Sequence, residues 1–263
     1  MSTKKRLFLI LWLAGFAGVL SFLLIDLKHL IEIVPLPPGS DVPQMDLGLL
    51  KVISLIQPTV ILSLAVLIGV GLSSKVGLSA PLAECIASRE SWFASFKPQI
   101  VPAIIGGIGG GVAIVLTAVV SKPFLAPEDV KLIGEFGKLL PLPTRFLYGG
   151  ITEELLLRWG LMTLLVWAML RLFQKGQGSP KAAYFVMAIL ISSIIFGLGH
   201  LPIAFMLFRE PTFPLMLFVV VANSTFGVIA GFLYWKKGLE SAMIAHILTH
   251  LVLFTASYLG TYF

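Results

Sequence analysis

The stretch GGITEELLLRWG, Gly149 to Gly160, decides how this chain is to be read. It sits in a run that is apolar from about residue 146 to 170, yet it carries two adjacent carboxylates, Glu153 and Glu154, and a guanidinium, Arg158. In water those charges would mark an ordinary solvated helix face. The rest of the sequence removes that option. Apolar residues make up 57 % of the chain, charged residues only 12 %, and mean hydropathy is +0.98. A soluble chain is nearer half apolar and a quarter charged. The surroundings are therefore lipid, where an ionisable side chain deep in a span costs at least ~2.5–3.5 kcal/mol and needs a partner or a function.

About 20 mostly apolar residues are needed to cross a bilayer as a helix. Seven stretches meet that length, at roughly 7–25, 52–72, 99–120, 146–170, 183–208, 214–235 and 239–262, the fifth bent near Pro202. The expected architecture is an all-α polytopic transmembrane bundle of about seven spans, with a polar site inside the membrane. It fills residues 1–263 as one integral membrane domain. The basic start MSTKKR resembles a signal peptide, but Leu7 to Ile25 is longer than a typical signal core and no A-x-A site ends it. A retained helix is expected.

With the N-terminus inside, the inner flanks hold Lys4, Lys5, Arg6, Lys75, Arg89, Lys97, Arg171, Lys175, Lys181, Lys236 and Lys237, eleven of the nineteen basic residues. The first outer loop carries Asp26, Glu32, Asp41 and Asp46. Against this orientation, the loop after the third span is basic on the outer side. Its segment EDVKLIGEFGKLL has apolar residues at helical spacing and is expected to lie in the interface. The net charge of +6 fits the positive-inside bias. It has no clustered basic face, so nucleic acid is not an expected partner; membrane lipids are. The single Cys85 excludes an intramolecular disulfide and any Cys-based metal cluster. The runs at Gly106–Gly111 and the Gly227/Gly231 pair are expected to let helices pack closely. The NST at Asn223 lies in a span and is no glycosylation acceptor.

On a helix, Arg158 lies one turn beyond Glu154 on the same face, within reach of an ion pair. Glu153 points about 100° away and lacks that partner. Three of the chain's four histidines, His200, His246 and His250, fall in spans; His246 and His250 are four apart in HILTH and share a face. Convergence with Glu153 would satisfy the polarity of all of them. Two chemistries remain open for such a set. Glu153 could activate a water against a carbonyl that His200 or His246 polarises. Alternatively His200, His246, His250 and Glu153 could hold a divalent metal such as zinc, although the pattern is not H-E-x-x-H. Both hydrolyse a peptide bond. Two non-enzymatic alternatives also stay open: a membrane immunity or scaffold protein that keeps the cluster for packing, and a proton-coupled transporter. The spans show no repeated halves of the kind transporters carry.

The motifs EELLLR (Glu153, Glu154, Arg158), FGLGH (Phe196, His200) and HILTH (His246, His250) resemble those of the CPBP intramembrane proteases. That family includes the prenyl-protein CAAX endopeptidases and bacteriocin-processing or immunity proteins. The run FGVIAGFLYWKKGLESAMIAHILTH also looks like the family's last two helices and the short basic turn between them. The resemblance covers about 145–255 as a catalytic core, with 1–144 supplying N-terminal membrane helices and the interfacial segment. It implies that Glu153 activates water, that Glu154 and Arg158 shape the site, and that His200 and His246 complete it. It also implies a peptide or lipidated-protein substrate and a prokaryotic plasma (inner) membrane. Members are named metalloproteases, while a metal-free glutamate mechanism is the expectation here. The chain departs from the pattern at His250, where the family has Asn, and at Leu157 and Trp159, where it has an aromatic residue and Gly. His250 could donate one hydrogen bond in place of the amide or become a third imidazole ligand.

Overall fold

In the computed structural model, residues 1–34 and 46–260 are described. Seven helical segments are long and apolar enough to cross a membrane: Thr3–Leu24, Leu47–Val76, Phe93–Phe124, Leu142–Gln174, Ala182–Leu207, Phe213–Lys237 and Leu239–Tyr258. No strand occurs among the described residues, as expected for an all-α bundle. The observed spans exceed the expected ones by a few residues at most ends, because polar first and last turns continue the helix beyond the apolar run. Asp41 and the end of the expected seventh span, 261–262, lie outside the described residues.

Local sequence explains where the helices turn. The fifth span breaks at Gly199–His200 and resumes as Leu201–Leu207, with Pro202 in the first turn, where its missing N–H costs nothing. The sixth ends on Gly238 at φ 108°, a left-handed setting that glycine adopts freely, and the seventh begins at once with Leu239. The interfacial candidate folds as the helix Pro127–Leu139, with Glu128 and Asp129 in its first turn and Lys138 in its last. Those charges oppose the helix dipole at both ends. Its Val130, Leu132, Ile133 and Phe136 pack partly buried against the bundle.

The fourth span departs from α geometry. From Arg145 to Glu153, and again from Leu155 to Met162, it is wound as a π-helix. A coil closed by i→i+5 bonds turns each residue through less than the 100° of an α-helix. Neighbouring side chains therefore diverge less than α spacing predicts. This span occupies the centre, in contact with the first, second, fifth, sixth and seventh. Thr152 donates to the Gly15 carbonyl at 2.7 Å and Thr144 to that of Ser21 at 2.9 Å, which ties it to the first span. Trp159, Leu155 and Met162 are fully buried around it.

Small residues set the helix separations. The third span presents Gly107, Gly110 and Gly111 to the seventh, and Thr249 donates to the Gly107 carbonyl at 2.9 Å across that contact. Gly227 and Gly231 meet Ser193 and Ile189 of the fifth span. The glycine runs therefore act as packing faces. A Cβ built at Gly107 would lie 2.7 Å from the Ala245 carbonyl oxygen and 2.6 Å from the Leu248 Cβ. Gly107→Val should therefore overpack this interface, lowering stability by about 1–3 kcal/mol, which a thermal unfolding scan of the detergent-solubilised protein would register.

Candidate active site

The polar groups of the fourth span face the seventh. Glu154 and Arg158 are both fully buried, with Arg158 Nε 3.3 Å from Glu154 Oε2. The other Glu154 oxygen, Oε1, lies 2.8 Å from His246 Nδ1. Since a carboxylate only accepts, Nδ1 carries the hydrogen in this contact and Nε2 is left to face outward. Arg158 Nη2 donates to the Gly227 carbonyl of the sixth span at 3.0 Å, and the guanidinium sits over the Phe196 ring of the fifth, 5.4 Å from its centroid. Four spans thus share one guanidinium–carboxylate–imidazole array. The Glu154–Arg158 pair follows the i,i+4 spacing of the sequence.

Glu153 occupies a different setting from its neighbour. Its Oε2 is 3.9 Å from His246 Nε2, beyond direct hydrogen-bond distance, and its side chain keeps 18 % exposure against 0 % for Glu154. The hydrogen bond to His246 is thus made by Glu154, whereas α-helical spacing assigned the imidazole to Glu153. The wider π-turn accounts for the difference, because it lets both acids address the seventh span.

Phe196 carries the fifth span into the cluster. Its ring lies edge-on to His200 at 4.9 Å and to His246 at 5.9 Å. His200 Nδ1 donates to the Phe196 carbonyl at 2.9 Å, which again leaves Nε2 as the outward nitrogen. His250 stacks on His246, centroids 4.9 Å apart and planes 11° from parallel. Its Nε2 is buried without a hydrogen-bond partner among the described residues and lies against Gly149, where a side chain would collide with it. Gly150 opens the same approach to Ile247. The glycine pair at the head of the quoted stretch is what lets the seventh span come this close.

All six sequence candidates therefore gather at one site. Phe226, 4.3 Å from the His246 ring, and the Gly227 carbonyl were not among them. Neither has a sequence signal: one is an apolar residue in an apolar span, the other a backbone atom under a packing glycine.

The stacked pair of the seventh span does not chelate one ion with both rings. A ring nitrogen binds along its own ring plane, and the stacked planes of His246 and His250 do not meet at a common point. Nδ1 of His246 and of His200 each meets a protein oxygen, the outer contact that a metal-binding imidazole commonly keeps, and Nε2 of both stays open. Among the described residues, no group of three or more His, Cys, Asp or Glu side chains is placed to hold an ion.

Residues 135–252 match the family model described as type II CAAX prenyl endopeptidase Rce1-like. Over those residues, somewhat under half of the chain, the protein is similar to the CAAX proteases. The matched segment runs from the helix Pro127–Leu139 into the seventh span and contains every residue of the site. No curated protein and no solved structure gave a match. That likeness to a protease family, with seven membrane-length apolar helices, supports an integral membrane protein.

The buried ion pair yields a stability prediction. Glu154→Gln leaves the Arg158 charge uncompensated in a dry interior and should cost about 3–5 kcal/mol. Glu153→Gln, at a partly exposed carboxylate whose nearest partner is the His246 imidazole at 3.9 Å, should change stability far less. Unfolding midpoints of the two variants, measured side by side, check the contrast.

Proposed function

We propose that the protein is an intramembrane endopeptidase in which Glu153 activates the attacking water and His246 assists. The observation that carries this reading is the unequal state of two adjacent acids. Both oxygens of Glu154 are committed, to Arg158 and to His246, whereas Glu153 is partly exposed and faces His246 Nε2 across 3.9 Å. A water beside the pair, off the line that joins them, can bond to both.

In this mechanism Glu153 takes a proton from the water as its oxygen attacks the scissile carbonyl carbon. When the carbon–nitrogen bond breaks, Glu153 returns the proton to the leaving amine. Glu154 fixes the orientation of His246 by holding Nδ1, the part an aspartate plays behind a catalytic histidine. A proton on His246 Nε2 brings Glu153, Glu154, Arg158 and His246 to net neutrality, and that N–H can then face the developing oxyanion. His200 offers Nε2 beside the same Phe196 ring and serves as the second polar contact for substrate. His250, with its unpartnered Nε2 over Gly149, holds the place of the family's amide. The chain's own groups carry each step. The substrate class is a peptide, or a lipidated protein of the prenylated type that the family name describes.

The test uses purified protein in detergent and an S-prenylated octapeptide, with bound metal measured on the same sample. Cleavage at one bond is expected, with Glu153→Gln reducing kcat by about 10²–10⁴-fold while the unfolding midpoint holds. Full activity in Glu153→Gln would refute the assignment. Stoichiometric zinc whose removal abolishes cleavage would replace glutamate-activated water with metal chemistry.

A further inference from the structure

The first and second spans pack closely at mid-span and part toward the end where the first begins. Trp12 Nε1 donates to Ser63 Oγ at 2.9 Å, and a Cβ built at Gly15 would lie 2.6 Å from Leu62. Continued along two antiparallel helices, that register sets Phe8 level with Leu67 and Lys5 with Val70. Here the contact opens, and a Cβ built at Gly71, level with Lys4, would meet nothing within 4 Å. A cavity of about 420 Å³ occupies the gap, with Lys4, Lys5, Phe8, Leu9, Leu67 and Val70 among its walls. The walls carry two cations and no acid. Lys4 and Lys5 are exposed in the first helical turn, while Phe8 and Leu9 lie one turn deeper on the same faces. Lys75, in the last turn of the second span, adds a third cation at this end of the bundle. The cleft therefore runs from a cationic mouth to an apolar floor, along the direction in which a phospholipid lies.

We infer that this cleft binds one anionic phospholipid, with its phosphate between Lys4 and Lys5 and an acyl chain laid along Phe8, Leu9, Leu67 and Val70. Basic pockets between membrane helices recognise anionic headgroups, and each lysine near the surface adds attraction to them. Lysine stems lie along apolar walls while their ammonium groups stay at headgroup depth. A soluble phosphate would pair with the lysines but leave the apolar floor unfilled. A zwitterionic lipid would fill the floor but bring its own cation to a cationic mouth. An anionic diacyl lipid satisfies both ends. It occupies the gap left where the two spans part, so it also holds the first span to the second. None of this depends on the proposed peptidase chemistry.

The experiment titrates the full-length protein in dodecyl maltoside micelles with phosphatidylglycerol or phosphatidylcholine and counts retained lipid by native mass spectrometry. One phosphatidylglycerol should be retained, with an apparent Kd about 30-fold below that of phosphatidylcholine, the scale of two lysines near a charged surface. Lys4→Gln/Lys5→Gln should remove that difference, while Lys236→Gln/Lys237→Gln, at the end of the sixth span, should leave it. Leu67→Trp keeps both lysines but fills the floor, and should weaken phosphatidylglycerol binding about tenfold, the worth of about two buried methylene groups. Phosphatidylglycerol should also raise the unfolding midpoint of the parent protein and not that of the Lys4→Gln/Lys5→Gln variant. Equal retention of the two lipids, a preference that survives Lys4→Gln/Lys5→Gln, or one lost equally with Lys236→Gln/Lys237→Gln would overturn the inference, since general surface charge would then be the cause. So would displacement of the lipid by inorganic phosphate, unchanged binding in Leu67→Trp, or a dimer of the chain in place of retained lipid.

Discussion

Everything at the centre of this molecule depends on neutralising one guanidinium in lipid. Arg158 has no exposure, and among the described residues its compensating charge within direct reach is Glu154, 3.3 Å away. The desolvation cost of such a pair is repaid only when geometry and further hydrogen bonds are good. Here the repayment is distributed. The Gly227 carbonyl accepts from Nη2, the Phe196 ring lies under the guanidinium, and His246 satisfies the carboxylate oxygen that Arg158 does not face. Each of those partners comes from a different span, so the pair dictates how the fifth, sixth and seventh helices sit around the fourth. Structural economy and chemistry then coincide. Once Glu154 is consumed by this task, the neighbouring Glu153 is left partly exposed and uncommitted, which is the state a proton acceptor requires.

The sequence made the architecture legible because hydropathy over twenty-residue windows is a strong signal and lipid permits few alternatives. The i,i+4 pair Glu154–Arg158, the stacked His246 and His250, the break at Pro202 and the packing glycines were likewise readable from spacing alone. What spacing misassigned was the partner of His246. A 100° rotation per residue turned the two acids apart, and no residue in Arg145–Met162 announces that the coil is wider. The contributions of Phe226 and of the Gly227 carbonyl were hidden for a different reason. They are properties of a neighbour's surface, visible only once helices are docked.

The same docking explains why imidazole at position 250 is compatible with the fold. Its ring lies parallel to that of His246, and its Nε2 rests over a glycine, so its bulk is absorbed without displacing the Glu154–His246 contact. The cost falls on Gly149, which loses all freedom to vary.

The wide coil of the fourth span also bears on how the protein fits its bilayer. That span has 33 residues, close to the 32 of the third and the 30 of the second and well above the 22 of the first and 20 of the seventh. At the α-helical rise it would be about 50 Å long, far beyond a hydrocarbon slab of roughly 30 Å. Fitting extra residues into the turns from Arg145 to Met162 shortens the rod, so this span comes nearer in length to the first and the seventh. Rewinding it as a plain α-helix would lengthen it by several ångströms, and the surplus would have to be taken up by tilt, by a thicker membrane, or by pushing a charged end into the headgroups.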